Sequence, residues 1–275
     1  MNINRVNEKE IPYQSLEEFG LTRNMISDLP MDVILQILSG QRSPVLPIEV
    51  VGADGQKVRS KAKFSLVRSD AGKVDVVFHP VFKTMEDSLC VVSKDPSTGK
   101  ESLAVVDART LYSLDVFNGL KMGKVMMDYS TTGDGRRIKS FLQLDPETRE
   151  VLSVPSQVIG RNIQTLVGEF NLTTAETNCL QNGEVLTVSQ EDELLSIGID
   201  LNYPTGLRLE KGDERRWKER ASREWNSYSV GVFGCWKMED GELSYIDEDD
   251  YTEEVWTEIE RQRNFRKINQ VSFKM

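Results

Sequence analysis

A short phrase recurs three times along this chain and constrains its fold more than any other feature: an apolar helix end, a closing glycine and then a strand. The three helix ends are Ile37-Leu38-Ser39-Gly40, Leu120-Lys121-Met122-Gly123 and Leu180-Gln181-Asn182-Gly183. The strands that follow them are predicted over residues 45–51, 125–129 and 185–188. A unit of this kind cannot bury its apolar face alone, so we expect each unit to pack against a neighbour.

Turn signals follow each of these strands. Asp54-Gly55 and Asp134-Gly135 can adopt the positive φ angles of a two-residue hairpin, and Glu191-Asp192 occupies the corresponding place in the third unit. Because the spacing between units is unequal, the pattern indicates a degenerate duplication rather than a regular solenoid. The sequence therefore predicts an α+β fold of three degenerate helix plus antiparallel β-meander repeats, with a C-terminal helix-hairpin-helix cap.

The predicted organisation has three parts. Residues 1–21 form an N-terminal arm or helix, and residues 22–209 form the repeat region. Within that region the repeats span 22–81, 107–157 and 171–209, with an extra hairpin over 88–106 around the turn Asp95-Pro96-Ser97-Thr98-Gly99. Residues 210–275 form a helix-hairpin-helix region that contains an acidic segment.

Composition narrows the class of protein. A chain of 275 residues with 39% hydrophobic content can bury one large core or two modest ones. It contains no apolar run long enough to cross a bilayer and no hydrophobic segment near residue 1, so we expect no membrane partner. The three cysteines are far apart in sequence, which is typical of reduced thiols in a cytoplasmic protein.

The residue types needed for catalysis are scarce. Metal and nucleophile chemistry usually needs histidine or clustered cysteine, and His79 is the one histidine of the sequence. A histidine just before Pro80 at a strand end is typical of a hydrogen-bonded structural residue. We therefore expect a protein that is not an enzyme and has neither a metal nor a cofactor.

Negative charge is concentrated near the C-terminus. Residues 239–260 contain eleven acidic residues and no basic one, within a chain of net charge −10. Such a segment repels phosphate and attracts a basic protein surface, although solubility and helix capping are the simpler explanation. The candidate partner-binding residues are Asp247, Glu248, Asp249 and Asp250.

Positive charge alternates along two predicted strands. Lys57, Arg59, Lys61 and Lys63 lie at every second position, so a strand places all four on one face, and Arg137 and Lys139 repeat the pattern in the second unit. These six residues are candidate nucleic-acid contacts because cations bind the phosphate backbone. The alternative is the ordinary polar face of a half-exposed sheet.

Seven segments carry a resemblance to a known family: Leu29-Pro30-Met31, Gly40-Gln41-Arg42-Ser43-Pro44-Val45-Leu46-Pro47-Ile48, Val74-Asp75-Val76-Val77-Phe78-His79-Pro80, Val158-Ile159-Gly160-Arg161-Asn162, Gly198-Ile199-Asp200-Leu201-Asn202, Gly234-Cys235-Trp236 and Asp250-Tyr251-Thr252-Glu253-Glu254. From about residue 19 to residue 263 the chain resembles the domain-of-unknown-function 4099 family of gut-bacterial conjugative elements. The glycine-closed unit is also similar to the companion 3945 family, which in such elements can follow a topoisomerase-like domain. The resemblance implies that the protein belongs to a mobile element and works close to DNA-processing proteins, and it provides no catalytic residues. Residues 95–99 and their flanking strands depart from the family pattern.

Two functions follow from these observations. The first is a non-catalytic accessory or binding module of a mobile genetic element that contacts DNA or a DNA-processing protein. The second is a protein-interaction or inhibitory module that acts on a basic partner through the acidic segment. The sequence leaves the oligomeric state open.

Overall fold

The computed structural model describes residues 6–52, 54–69, 72–81, 87–94, 101–131, 135–190, 193–220 and 228–272. The described residues form a mixed helical and antiparallel-sheet fold with several small sheets. The predicted turns at Asp95–Gly99, Asp134 and Glu191-Asp192 lie outside them. None of the described helices combines the length and the apolar character needed to cross a bilayer.

The elements are numbered in chain order. The helices are α1 (Tyr13–Glu17), α2 (Arg23–Ser27), α3 (Met31–Leu38), α4 (Leu114–Lys121), α5 (Ser156–Phe170), α6 (Thr174–Gln181), α7 (Glu214–Arg220) and α8 (Glu253–Ser272). The strands are β1 (Leu46–Val51), β2 (Lys57–Arg68), β3 (Val74–Pro80), β4 (Ser88–Lys94), β5 (Glu101–Asp107), β6 (Met126–Thr131), β7 (Arg137–Leu144), β8 (Val151–Pro155), β9 (Leu186–Gln190), β10 (Glu193–Ile199), β11 (Leu207–Lys211), β12 (Tyr228–Val230), β13 (Gly234–Glu239) and β14 (Glu242–Asp247). Short 3₁₀ turns occur at Glu8–Glu10, Ala108–Thr110 and Glu248–Asp250.

The chain divides into two compact units. Unit 1 combines Met1–Pro80 with Glu224–Met275, and unit 2 is the continuous segment Val81–Arg223. Unit 1 is therefore assembled from the two ends of the sequence. The sequence signals, read from one residue to the next, contain no indication of this pairing.

Unit 1 contains two antiparallel three-stranded sheets, in the orders β1-β2-β3 and β12-β13-β14. Its main core joins Leu16 and Val33 of the N-terminal helices to Phe64 of β2 and to Trp236 and Leu243 of the C-terminal sheet. A smaller cluster packs α8 on that sheet through Tyr228, Cys235, Val255 and Ile259. Burial of these apolar side chains is the main force that holds the two ends of the chain together.

The C-terminal sheet has one strand more than the sequence predicts. The apolar run over residues 230–238 indicates a single strand, but the structure breaks it at residues 231–233 into β12 and β13. The break is a tight turn in which the Gly231 amide donates to the Gly234 carbonyl at 2.9 Å.

Unit 2 contains the sheets β6-β7-β8 and β11-β10-β9 and the hairpin β4-β5. Helix α5 buries Ile159 and Ile163 against Phe141 of β7 and Ile197 of β10, forming the larger core. Helix α4 covers the smaller core, which contains Phe117, Leu120 and Leu142. Each helix buries one apolar stripe, which is the expected pattern for a helix that packs on a sheet.

Three segments share a local order of helix, glycine and three antiparallel strands. Helix α3 precedes β1–β3, α4 precedes β6–β8, and α6 precedes β9–β11. The glycines after these helices, Gly40, Gly123 and Gly183, have φ angles of 82°, 74° and 82°. Glycine adopts this left-handed conformation, which ends a helix, at a lower steric cost than residues that carry a side chain.

Candidate functional site

The basic stripe of β2 lies beside acidic residues of its own unit. Glu49 of β1 lies directly across from Arg59, and its Oε2 is 3.0 Å from the Lys57 Nζ. Lys61 forms an ion pair with Glu242 of β14. Lys57 and Arg59 are exposed, whereas Lys61 and Lys63 are half-buried. Part of the positive charge on this face is therefore neutralised by neighbouring carboxylates.

The second basic pair lies in a different environment. Arg137 and Lys139 are exposed on β7, and Lys139 lies directly across from Tyr129 of the edge strand β6. The Arg137 guanidinium carbon is 5.3 Å from the centre of the Tyr129 ring, which is 55% exposed. Among the residues that the structure describes, neither cation forms an ion pair with an acid. This cluster of Tyr129, Arg137 and Lys139 is called the hairpin face below.

The acidic residue of β6 is directed to the opposite side of the sheet. Side chains alternate between the two faces of a strand, so the side chain of Asp128 lies on the face opposite to that of Tyr129. Ser140 lies directly across from Asp128 and shares its face. There the Asp128 charge, after the larger effect of burial, raises the pKa of Tyr112. On that side Ser130 and Ser140 join their hydroxyls at 2.7 Å. The hairpin face thus presents an aromatic ring and two cations, with no acid from β6.

The six candidate cations belong to both units. Lys57, Arg59, Lys61 and Lys63 lie in unit 1, and Arg137 and Lys139 lie in unit 2. Their assignment to nucleic-acid binding stays a prediction, and the geometry favours the pair in unit 2.

The acidic candidates are all exposed. Asp247 ends β14, and Glu248, Asp249 and Asp250 form the following 3₁₀ turn. Asp250 does not cap α8; Thr252 does, because its Oγ1 accepts from the Val255 amide at 3.4 Å. Across the described residues, no group of three or more His, Cys, Asp or Glu side chains is arranged to hold a metal ion.

His79 and two of the three cysteines are buried in the fold, and Cys179 is half-buried. His79 is 9% exposed, and its Nε2 lies 3.0 Å from the Ser65 hydroxyl on the neighbouring strand. Cys90 and Cys235 are buried. Burial, followed by the Glu184 carboxylate 3.2 Å away, raises the pKa of Cys179 to about 11, so this thiol stays protonated at neutral pH.

The residue that organises unit 1 is one that local sequence signals do not indicate. Asp28 follows α2 and is 4% exposed. Its Oδ1 accepts from the Val232 amide at 2.6 Å, and its Oδ2 accepts from the Phe233 amide at 3.0 Å and from the Tyr245 hydroxyl at 2.6 Å. Burial and then this hydrogen bond raise the pKa of Tyr245 above its usual range. Nearby, the Trp236 indole donates to the Met25 carbonyl at 3.0 Å.

The Asp28 contact explains an unusual turn. Two-residue hairpin turns usually need positive φ angles, which Asn and Gly provide. Val232 and Phe233 occupy these positions here, and neither has a positive φ. The Asp28 carboxylate accepts hydrogen bonds from both turn amides and thereby stabilises a turn that these two residues do not favour. Gly231 allows the approach, because a Cβ at that position would collide with the Asp28 carboxylate.

The N-terminal part of the sequence, most of it in unit 1, has a family match. Residues 6–87 match the family model described as protein of unknown function (DUF4099). The match confirms the predicted family resemblance over this segment, which contains α1–α3, β1–β3, Asp28 and the basic stripe of β2. The DUF4099 match does not extend to β6 and β7 or to the acidic residues. No curated protein and no solved structure matches the chain.

Proposed function

We propose that the protein is a non-catalytic binding module that contacts single-stranded DNA through the hairpin face. The observation that carries the proposal is the exposed Tyr129 ring with Arg137 over it and Lys139 directly across the strand pair. An exposed ring offers a surface on which a base can stack, and flanking cations bind the phosphates on either side. The half-neutralised stripe of β2 is the weaker candidate for the same role.

The proposal also includes the cellular and genetic context of the protein. The match to DUF4099 and the resemblance of the other segments support a cytoplasmic accessory module of a mobile genetic element, close to a DNA-processing protein. The shared order of helix, positive-φ glycine and three strands supports a degenerate triplication of one unit. On this interpretation the region from α7 to α8 is the cap of the repeats.

Fluorescence anisotropy with a labelled single strand across a salt series tests the proposal. If Arg137 and Lys139 each neutralise one phosphate, they contribute about −1.4 to the slope of log affinity against log salt. We expect Arg137→Gln with Lys139→Gln to remove this contribution. Tyr129→Leu removes the stacking surface, so we expect a loss of about 1 to 3 kcal/mol of binding free energy with a nearly unchanged slope.

The matched control is Lys57→Gln with Arg59→Gln, which also removes two exposed strand cations. We expect its affinity and salt slope to remain close to those of the unmodified protein. Absence of binding at low salt, or an equal change in slope in the control, would reject the hairpin face as the contact.

A further inference from the structure

An open cleft lies within unit 1 beside the Asp28 contact. Its volume is about 350 Å³, and it is lined by residues 27–31 on one side and residues 229–232 on the other. Met31 and Val232 line it and are 69% and 78% exposed, and Phe233, next to Val232, is 46% exposed. Met31 and Val232 form an exposed apolar part of the rim, and the polar residues Ser27, Asp28 and Ser229 line other parts of the cleft.

The rim is held in a fixed geometry. The Asp28 carboxylate accepts hydrogen bonds from the amides of Val232 and Phe233. The two apolar side chains therefore project from a turn that is hydrogen-bonded to the end of α2. Fixing this geometry before binding reduces the entropy that a partner must offset. Turns normally carry Gly, Asn or Asp, so a Val-Phe pair at this position exposes apolar area without benefit to the local fold.

On the edge strand β12, the Val230 backbone beside the cleft forms no hydrogen bond to another described residue. Hydrogen-bonded and non-bonded pairs alternate along antiparallel strands, and the Gly231 amide bonds the Gly234 carbonyl. The next pair, Val230 with Cys235, is therefore a non-bonded pair, and the Val230 N–H and C=O are directed away from β13. The backbone groups of Tyr228 are also directed away from β13, and the Tyr228 carbonyl accepts a hydrogen bond from the Gln262 side chain at 3.0 Å. An extended peptide can pair with Val230 as an added strand.

Charge around the cleft indicates what such a peptide contains. The Glu248 amide donates to the Phe233 carbonyl at 3.0 Å, which places the acidic residues 247–250 next to the turn that carries Val232 and Phe233. All four are exposed, and the cleft lining contains no lysine or arginine. Complementary charge across an interface steers association and excludes acidic competitors.

We propose that this cleft docks an extended segment of a partner protein in which a large apolar residue is flanked by lysine or arginine. The apolar side chain enters between Met31 and Val232, the peptide backbone pairs with Val230, and the flanking cations face Asp247, Glu248, Asp249 and Asp250. The cleft lies in unit 1 and is separate in sequence from the hairpin face, so either proposal can fail without the other.

Selection from a displayed random-peptide library on the full chain tests this inference. We expect the enriched peptides to combine an apolar residue with flanking Lys or Arg. In anisotropy titrations with one synthetic enriched peptide, Met31→Ser and Val232→Ser should each weaken binding at least about fivefold, as buried interface anchors do. Asp247→Asn with Asp249→Asn should weaken it at low salt and matter less at high salt.

The control is Leu114→Ser, because Leu114 is the first residue of an eight-residue helix and is 63% exposed, much like Met31. It should leave peptide binding unchanged. The proposal is overturned if no peptide is enriched, if enriched peptides are acidic or lack the apolar residue, or if the control weakens binding as much as Met31→Ser. Sedimentation can also reveal a dimer of the unmodified protein that Val232→Ser dissociates. In that case the cleft binds a second copy of this chain, and the proposal of a partner protein is overturned.

Discussion

At the scale of single residues, Asp28 shows how one carboxylate can determine the geometry of a distant turn. It joins the end of α2 to amides more than two hundred positions later in the sequence. Its carboxylate is buried, yet it accepts hydrogen bonds from two amides and one hydroxyl. A buried charge is tolerated when its hydrogen-bonding capacity is met in this way.

Removal of this carboxylate should destabilise unit 1 strongly. Asp28→Ala leaves two amides and the Tyr245 hydroxyl without their acceptor, and we expect a loss of about 3 kcal/mol or more in the free energy of unfolding. Tyr245→Phe removes one hydrogen bond, so its loss should be about 1 kcal/mol. Urea unfolding monitored by tryptophan fluorescence provides both values, and Trp236 in the same core reports on unit 1. A cost for Asp28→Ala no larger than that for Tyr245→Phe would show that the turn does not depend on the carboxylate.

At the scale of elements, the N-terminal 3₁₀ turn is attached to β2 by an ion pair. Arg68 donates to both carboxylate oxygens of Glu10, at 3.0 and 2.9 Å. This hydrogen bonding, followed by the bond from the Asn7 amide, lowers the pKa of Glu10 from 4.5 to about 2. The pair connects residues that are far apart in sequence, so it stabilises the sheet as well as the turn.

The lowered pKa of Glu10 gives a pH signature. Because the folded-state pKa lies below the unfolded value, the stabilisation is complete above about pH 4.5 and disappears as the pH falls towards 2. We expect Glu10→Gln to be less stable than the unmodified protein at neutral pH and equally stable near pH 2. Urea unfolding across this pH range measures the difference. Glu8→Gln, in the same 3₁₀ turn, is the control; an identical pH profile for both variants would contradict the assignment to Glu10.

Elements with local signals can be predicted from the sequence. Helix α5 follows from the helical spacing of Ile159, Ile163 and Leu166, and α6 from the capping box of Thr173 and Glu176. The alternation of Lys57 to Lys63 correctly places four cations on one face of β2. The ion pair of Lys61 with Glu242 has no local signal, because it arises from packing of β14 beside β1.

For the candidate sites too, residues with a local sequence pattern can be predicted, whereas contacts that depend on tertiary structure cannot. Arg137 and Lys139 can be identified from alternation, but the stacking on Tyr129 depends on the register of β6 and β7. The Asp28 contact and its cleft depend on tertiary packing between the two ends of the chain. A strand interrupted by a Val-Phe turn cannot be recognised locally, because the group that stabilises the turn lies elsewhere in the sequence.

At the scale of the whole molecule, the two units differ in the number of chain segments that each needs to complete its core. Unit 2 is continuous and contains two complete apolar clusters, whereas the main core of unit 1 needs Trp236 and Leu243 from the C-terminal segment. We expect a fragment of residues 81–223 to unfold cooperatively, and a fragment of residues 1–80 to lack a cooperative transition until residues 224–275 are added. Circular dichroism melting measures both. A cooperative transition for residues 1–80 alone would contradict this assignment of the core.

The split of unit 1 also sets the order of events during synthesis. At 5–20 residues per second, the ribosome needs roughly 7 to 30 s to add the residues of unit 2 after Pro80 has been joined. Throughout that interval the nascent N-terminal segment exposes the apolar surface that Trp236 and Leu243 will later cover. Unit 2 can mature first, and chaperones that hold unfinished chains have a long window in which to act on the first eighty residues.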